Sequence, residues 1–346
     1  MVSRSVCYKT IEQGDALLGY VRITSFDGSG TNGNTFTQFK EAVDTLTAQG
    51  VSAFVLDLRN NGGGSLTEAI EIVNLFVPKG LDIVETKGKT KRANTTYKTT
   101  REPIDTVSPL IILVNGNTAS AAEIVSGSLQ DLDRAVVIGS RTYGKGLVQT
   151  TRELPYNSYL KVTTSKYYIP SGRCVQAIDY SHRNEDGSVA RTPDSLRNTF
   201  YTAAGREVKD GGGIQPDIEP KGEKITTLLF NLIQDMSIFD YATEYALAHP
   251  TIAPAETFEL SDEDYEAFKS YLKSTGFNYD KESYKILVQL KKMLSLEGYE
   301  ETTKAEIEKL EKTLQHNLDH DLTFFAKDIK QLIADEIIKR YYYHRG

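Results

Sequence analysis

Two short stretches hold residue types that could do chemistry together. In the first, Asn115-Gly116-Asn117-Thr118-Ala119-Ser120-Ala121-Ala122-Glu123-Ile124, small residues separate an aliphatic run, Leu110 to Val114, from the stripe Ile124, Val125 and Leu129. The run reads as a buried strand and the stripe as a helix, so a tight turn delivers one hydroxyl, Ser120, at a helix N-terminus. Unpaired N–H groups and a partial positive charge there favour a developing oxyanion, which suits a nucleophile. An ordinary cap would use the same residues, since Ser120 and Glu123 fit capping-box spacing. In the second stretch another aliphatic strand, Ala135 to Gly139, leads into Arg141-Thr142-Tyr143-Gly144-Lys145-Gly146. A lysine between glycines is commonly solvated. Once desolvated, a lysine gives up its charge more readily and can take the proton of a serine. Gln149, shortly after, is placed to orient that amine.

The second stretch has a rival reading, because Gly139 to Lys145 matches the spacing of a phosphate-binding loop. Such a loop continues with Ser or Thr for magnesium and opens a helix. Here Gly146 follows, then Leu147-Val148-Gln149-Thr150-Thr151, which favour strand. Nucleotide binding is therefore set aside.

Six stretches in register extend the pattern: Gly19-Tyr20-Val21-Arg22-Ile23 with Phe26; Leu56-Asp57-Leu58-Arg59-Asn60-Asn61-Gly62-Gly63-Gly64; Asn115 to Ile124; Gly139 to Gln149; Tyr168-Ile169-Pro170-Ser171-Gly172-Arg173; and Gly212-Gly213-Ile214-Gln215-Pro216-Asp217. On these the chain resembles the catalytic core of the C-terminal processing peptidases, or tail-specific proteases, which use a serine–lysine dyad. The resemblance implies Ser120 as nucleophile, Lys145 as general base and Gln149 as its holder. It implies an oxyanion hole from the backbone N–H groups of Gly63 and Ala121. Glu123 falls where some relatives place a supporting acid, with the plain cap as the other reading.

The same resemblance implies a serine endopeptidase cutting near the C-termini of proteins through an acyl-enzyme, without cofactor or metal. Its partners would be proteins or peptides with accessible C-terminal tails, and its place the cell envelope or periplasm. The fold implied is α/β, a crotonase/ClpP-like core with parallel and antiparallel strands and flanking helices, plus a C-terminal helical region. The domains expected are a catalytic core over 1–250 and helices over 251–346. Relatives carry a signal or anchor and a peptide-binding PDZ domain upstream of the segment that begins here at Gly19. The expectation is thus a truncated piece cut at a domain seam, rather than a natural relative without a PDZ domain. A silent binding protein on the same fold, or a core idle without its PDZ domain, are the competing readings.

Composition agrees with an enzyme. At 346 residues with 39% hydrophobic and 25% charged residues, the chain resembles ordinary globular proteins. A net charge of -7 argues against nucleic acid as principal partner. No apolar run is long enough for a membrane helix, and Met1-Val2-Ser3-Arg4-Ser5 opens no signal peptide. Cys7 and Cys174 belong to no metal spacing, and no disulfide is required. His316 and His320, one helical turn apart, lack the acid of a zinc motif and read as a solvated face.

Along the chain, Leu17 to Ile23 reads as strand and Asp27 to Asn34 as loop. Phe36, Phe39, Val43 and Leu46 give a helix that stops at Gly50. Val51 to Leu58 is a buried strand, followed by a helix through Leu66, Ile70, Val73 and Phe76. This alternation predicts parallel β units with active loops at the strands' carboxyl ends. Asp82 to Arg101 reads as a hairpin with charged edges. Tyr159 to Ile169 and Arg173 to Ile178 read as antiparallel strands, and Ser181 to Arg197 as a surface loop. Gly211 to Asp217 is a turn whose task is backbone geometry. After Ile225 the pattern is helical, with a linker from His249-Pro250 to Pro254. Ser261 starts a helix, and three more follow through Ile338. The last, carrying Leu322, Phe325, Ile329, Leu332, Ile333 and Ile337, needs cover for its apolar face, either within the chain or, as a homo-oligomer, against a second copy. Tyr341-Tyr342-Tyr343 reads as a frayed end.

Overall fold

The computed structural model describes residues 4–28, 33–183, 185–220, 225–279, 282–314 and 318–342. Parts of the 27–34 loop, His316 and Tyr343 lie outside the described residues. The chain divides into two units, 1–221 and 222–346.

The first unit opens with an antiparallel hairpin of β1 (Val6–Gln13) and β2 (Ala16–Ile23). In β2 the side of Gly19, Val21 and Ile23 is buried, the period-two pattern of a half-covered strand. β1 lies at the sheet edge and is mostly exposed, so its sequence carries no such alternation. Helix α1 (Thr35–Ala48) is capped by Asn34, which accepts Thr37 N–H at 2.9 Å, and buries Phe39, Ala42, Val43 and Leu46. There follow β3 (Ala53–Asp57), α2 (Leu66–Val73), β4 (Asp82–Gly88), β5 (Thr95–Lys98), β6 (Leu110–Val114), α3 (Ala121–Asp131) and β7 (Val136–Gly139).

The main sheet has the order β1-β2-β3-β6-β7, and β2, β3, β6 and β7 run parallel. Loops leaving neighbouring parallel strands emerge at one end of the sheet. Gly63 follows β3, Ser120 follows β6 and Lys145 follows β7, so this topology alone gathers the three segments. β8 (Leu147–Leu154) and β9 (Ser158–Tyr168) pair with the 82–98 hairpin in an antiparallel sheet of order β5-β4-β9-β8. Among the described residues this mixed α/β unit and the helical unit account for the expected architecture.

Beyond β9 the structure departs from the sequence reading. Arg173 to Ala177 forms no strand. The Arg173 side chain is fully buried and reaches Asp131 Oδ1 and Gln130 Oε1, each at 2.8 Å, so a long-range ion pair holds this segment instead of a ladder. Burial raises the Asp131 carboxyl's pKa and lowers that of the Arg173 guanidinium, and the mutual attraction offsets only part of each shift. Arg173→Ala would strand the buried carboxylate, and chemical denaturation should register a loss of about 3–5 kcal/mol. The 181–197 stretch is not a plain loop. It holds most of a hairpin, β10 (Ile178–Arg183) with β11 (Val189–Arg191), and a 3-10 turn at Asp194–Leu196. β12 (Thr199–Tyr201) and β13 (Glu207–Lys209) make another.

The second unit contains α4 (Thr227–Gln234), α5 (Ser237–Ala248), α6 (Asp262–Thr275), α7 (Glu282–Leu296), α8 (Glu300–Leu314), α9 (Leu318–Phe324) and α10 (Ala326–Tyr342). The seam falls at 221/222, not after residue 250, because Leu228, Leu232 and Tyr241 pack in one core with Phe268, Leu322 and Ile333. The long apolar pattern expected as one last helix is broken at Phe325 into α9 and α10. Its apolar residues Ile329, Ile333 and Ile337 are buried inside the unit. Nor does the end fray at Tyr341 and Tyr342. Tyr341 Oη donates to His249 O, and Tyr342 Oη donates to Ala253 O at 3.1 Å, pinning the 249–254 linker. Among the described residues no helix is long and apolar enough to cross a membrane, and no cluster of His, Cys, Asp or Glu could hold a metal ion. Cys7 and Cys174 are both free thiols.

Candidate active site

The loop after β3 is sewn to the loop after β6. Asn60 sits at φ 62, a left-handed conformation that asparagine tolerates. Its carbonyl oxygen Oδ1 accepts from Asn115 Nδ2 at 2.9 Å and Asn117 Nδ2 at 3.0 Å. Thr118 Oγ1 donates to Leu58 O at 2.8 Å, and Ala119 N–H to Asn61 O at 2.9 Å. Asn61 is fully buried and donates from Nδ2 to Ile23 O at 2.8 Å.

At the end of β3, Asp57 is buried and holds Arg59 at 2.7 Å and Tyr20 Oη at 2.6 Å. Burial pushes its carboxyl's pKa up, but the bonds from Arg59 and Tyr20 outweigh that and leave it below the ordinary 3.8. A depressed carboxyl stabilises the fold above its unfolded pKa, and that contribution disappears as pH falls through the folded value. Asp57→Asn should therefore flatten the acid limb of stability below about pH 4, read from denaturation midpoints against pH.

Ser120 departs from the other caps. Ser65, Thr226 and Ser261 stand in extended conformations with side chains accepting from the N3 N–H, whereas Ser120 is at φ 59, ψ −118. The Ser120–Glu123 pair has the outline of a capping box, yet the hydroxyl makes no cap hydrogen bond of normal geometry. The bond that ties them runs the other way, from Ser120 N–H to Glu123 Oε2 at 2.9 Å. A positive φ is costly for a residue with a Cβ and persists only where its surroundings enforce it.

Glu123 supplies much of that enforcement. It has no exposed surface and accepts four bonds: Ser120 N–H, Lys145 N–H at 2.8 Å, Gly144 N–H at 2.7 Å and Thr142 Oγ1 at 2.6 Å. One carboxylate thus fastens the serine turn to the lysine loop, well beyond what a cap does. Burial raises its pKa above the usual glutamate range, held back by Thr142, Lys145, Ser120 and Gly144. Thr142 Oγ1 in turn accepts Ile214 N–H at 2.6 Å, so the 211–217 turn buttresses the lysine loop from behind. Tyr167, almost wholly buried, donates to Lys145 O at 2.6 Å and lies 3.2 Å from Ser120 O, strapping both backbones from β9.

Ser120, Lys145, Gln149, Gly63 and Ala121 all line one cavity of about 510 Å³. Lys145 is half-buried there, and among the described residues its amine has no ion-pair partner. Gln149 is exposed and makes no hydrogen bond to Lys145 in this arrangement. A β-bulge between Val148 and Gln149 shifts the register of β8 against β9 beside it.

Of the two N–H donors expected for an oxyanion hole, one is already engaged. Gly63 N–H already donates to Asn61 Oδ1 at 2.8 Å. Ala121 N–H, first of its helix, has no acceptor among the described residues. At Gly63, with φ 98, a Cβ would stand 2.7 Å from Ser120 Cβ and 2.9 Å from Ala121 N, so glycine is what lets the two loops close. Asn61, Thr142, Tyr167 and the serine's own strain were not found from sequence. The paired asparagines before the glycines were the one visible signal.

Comparison with known proteins follows the same segments. Residues 17–182 match the model of peptidase family S41, and residues 228–346 match the C-terminal helical domain of a probable PDZ-protease. The chain is 37% identical over 166 residues to the chloroplastic C-terminal processing peptidase of Tetradesmus obliquus, covering 47% of this chain and 34% of that one. It is 38% identical over 165 residues to the carboxy-terminal-processing protease of Bartonella bacilliformis, covering 46% and 37%. A solved photosystem II D1 C-terminal processing protease aligns with a TM-score of 0.47 at 28% identity, over 64% of this chain and 49% of that one. The match thus spans about a third of the length of these two curated relatives. The chain carries a peptidase family S41 domain joined to a C-terminal helical domain of the PDZ-protease type.

Proposed function

We propose that this protein is a serine endopeptidase that cleaves peptide bonds near the C-termini of protein substrates, with Ser120 as nucleophile and Lys145 as general base. The observation that carries the reading is a hydroxyl held at positive φ at a helix mouth, sharing one cavity with an amine that no carboxylate neutralises. Lys145, as the free amine, takes the Ser120 proton while Oγ attacks the peptide carbonyl carbon. The negative charge gathers on the carbonyl oxygen, and Ala121 N–H donates to it. Gly63 N–H joins once it is shared with, or released by, Asn61 Oδ1. Each such donor lowers the barrier by roughly 3 kcal/mol. The ammonium of Lys145 then protonates the departing amine, leaving an acyl-enzyme that water opens by the same route with the roles repeated. Gln149, beside the amine in the cavity, orients it when substrate fills the space.

The substrates proposed are proteins or peptides with accessible C-terminal tails, and the setting is the cell envelope. The test is mass spectrometry of tail-bearing peptides after incubation with the protein and with Ser120→Ala. Discrete internal cuts near the C-terminus, absent with the variant, are expected. Intact peptide from both proteins would reduce the domain to a binding scaffold.

A further inference from the structure

A second groove lies beside the catalytic cavity, and its charge is one-sided. It measures about 730 Å³ and runs from the β4–β5 connection across β9 to β8. Its cations are Lys87, Lys89, Arg92, Arg152 and Lys166, and its lining contains no carboxylate. Lys87 is paired with Glu85 at 2.9 Å, outside the groove. Lys89, Arg92, Arg152 and Lys166 form no ion pair among the described residues. In a chain of net charge -7, four unneutralised cations around one trough call for an anionic occupant.

The occupant must be extended and must reach the catalytic cavity. Leu147 lines both spaces, and Lys161 carries positive charge into the catalytic one. The floor on β9, Thr163, Thr164 and Ser165, offers hydroxyls rather than aromatic faces. Stacking platforms are what a single-stranded nucleic acid would need. We propose that this groove binds acidic side chains of the substrate polypeptide, a run of Asp and Glu flanking the bond to be cut. The inference rests on the endopeptidase reading for the identity of its ligand, and it makes the enzyme selective for substrates with an acidic flank.

The experiment measures binding apart from turnover. Ser120→Ala protein is titrated with a fluorescein-labelled peptide carrying an Asp/Glu run, and with its Asn/Gln counterpart, followed by anisotropy. The acidic peptide should bind about tenfold tighter at low salt, and the difference should fade at about 0.5 M NaCl as exposed charges are screened. Adding Lys89→Gln and Arg92→Gln, or Arg152→Gln and Lys166→Gln, should each reduce the preference. All four together should abolish it, with thermal unfolding confirming a folded protein. Equal binding of the two peptides, or a preference that survives all four changes, overturns the proposal. So does displacement of the acidic peptide by oligothymidylate of equal charge more readily than by unlabelled acidic peptide. A preference that behaves as expected, with no cleavage of the acidic peptide by unmodified protein, keeps the groove and sinks the endopeptidase reading.

Discussion

Ser120→Ala should lower kcat/KM for a cleavable tail peptide by about 10⁴-fold or more, with the thermal unfolding midpoint scarcely changed. Removing Oγ deletes the attacking atom, and the hydroxyl makes no cap bond of normal geometry whose loss would weaken the helix much. Lys145 tests the other half of the reaction, and the choice of replacement matters. Lys145→Met keeps the length of the alkyl stem and removes the base. Lys145→Arg keeps a positive charge but cannot give up its proton at any working pH. If Lys145 acts as base, both variants fall together by a similar factor. If its charge alone mattered, the arginine variant would keep much of the rate. Initial velocities on one peptide, with all three proteins at matched concentration, separate these outcomes.

The second large effect is expected at Glu123. Its two oxygens absorb the N–H groups of Ser120, Gly144 and Lys145 and the hydroxyl of Thr142. Glu123→Ala leaves these donors inside the protein with a cavity, and an unmet buried donor costs about 1–3 kcal/mol. Even with partial relaxation, the variant should lose about 3–5 kcal/mol in chemical denaturation. Activity should fall by at least about 100-fold, because the serine turn and the lysine loop are no longer fastened together. Glu123→Gln preserves volume but turns an NH₂ towards two of the donors, so it should rescue little of the rate. The pH dependence carries a sign of its own. Burial raises the folded pKa of Glu123 above the ordinary 4.5. The stability linked to that shift is complete below pH 4.5 and is lost as pH climbs through the folded value. The stability advantage of the native protein over Glu123→Gln should therefore shrink with rising pH in that window. An advantage that grows instead would mean the carboxylate is favoured as an ion.

How much of this was legible in the sequence depends on range. The aliphatic runs of β3, β6 and β7 announce buried parallel strands, and the glycine-rich and small-residue segments after them mark where the proposed chemistry would sit. Connections between distant residues left no such trace. Nothing near Glu123 indicates that it reaches Thr142 and Gly144, and nothing near Tyr167 indicates that it clasps the serine and lysine backbones. β1 escaped notice because an exposed edge strand needs no apolar alternation. Arg173 to Ala177 misled because alternation there is real, while a buried arginine bonded to Asp131 decides the backbone path. The seam near residue 250 was misplaced for a related reason: Pro250 and Pro254 do make a linker, but Tyr341 and Tyr342 tie that linker to α10. Asn61 is the sharpest case, since the motif read as part of an oxyanion hole also contains the side chain that occupies one of the expected donors.

The pieces of the cavity come from loops spread between Asn61 and Tyr167, and Ile214 props them from further along the chain. A ribosome therefore releases the serine well before the segment that steadies its partner. Until those segments are made, the strained turn lacks the contacts that tie it to Gly144, Lys145 and Tyr167. On the proposed reading, hydrolysis would be absent from the growing chain and would arrive only with the last brace.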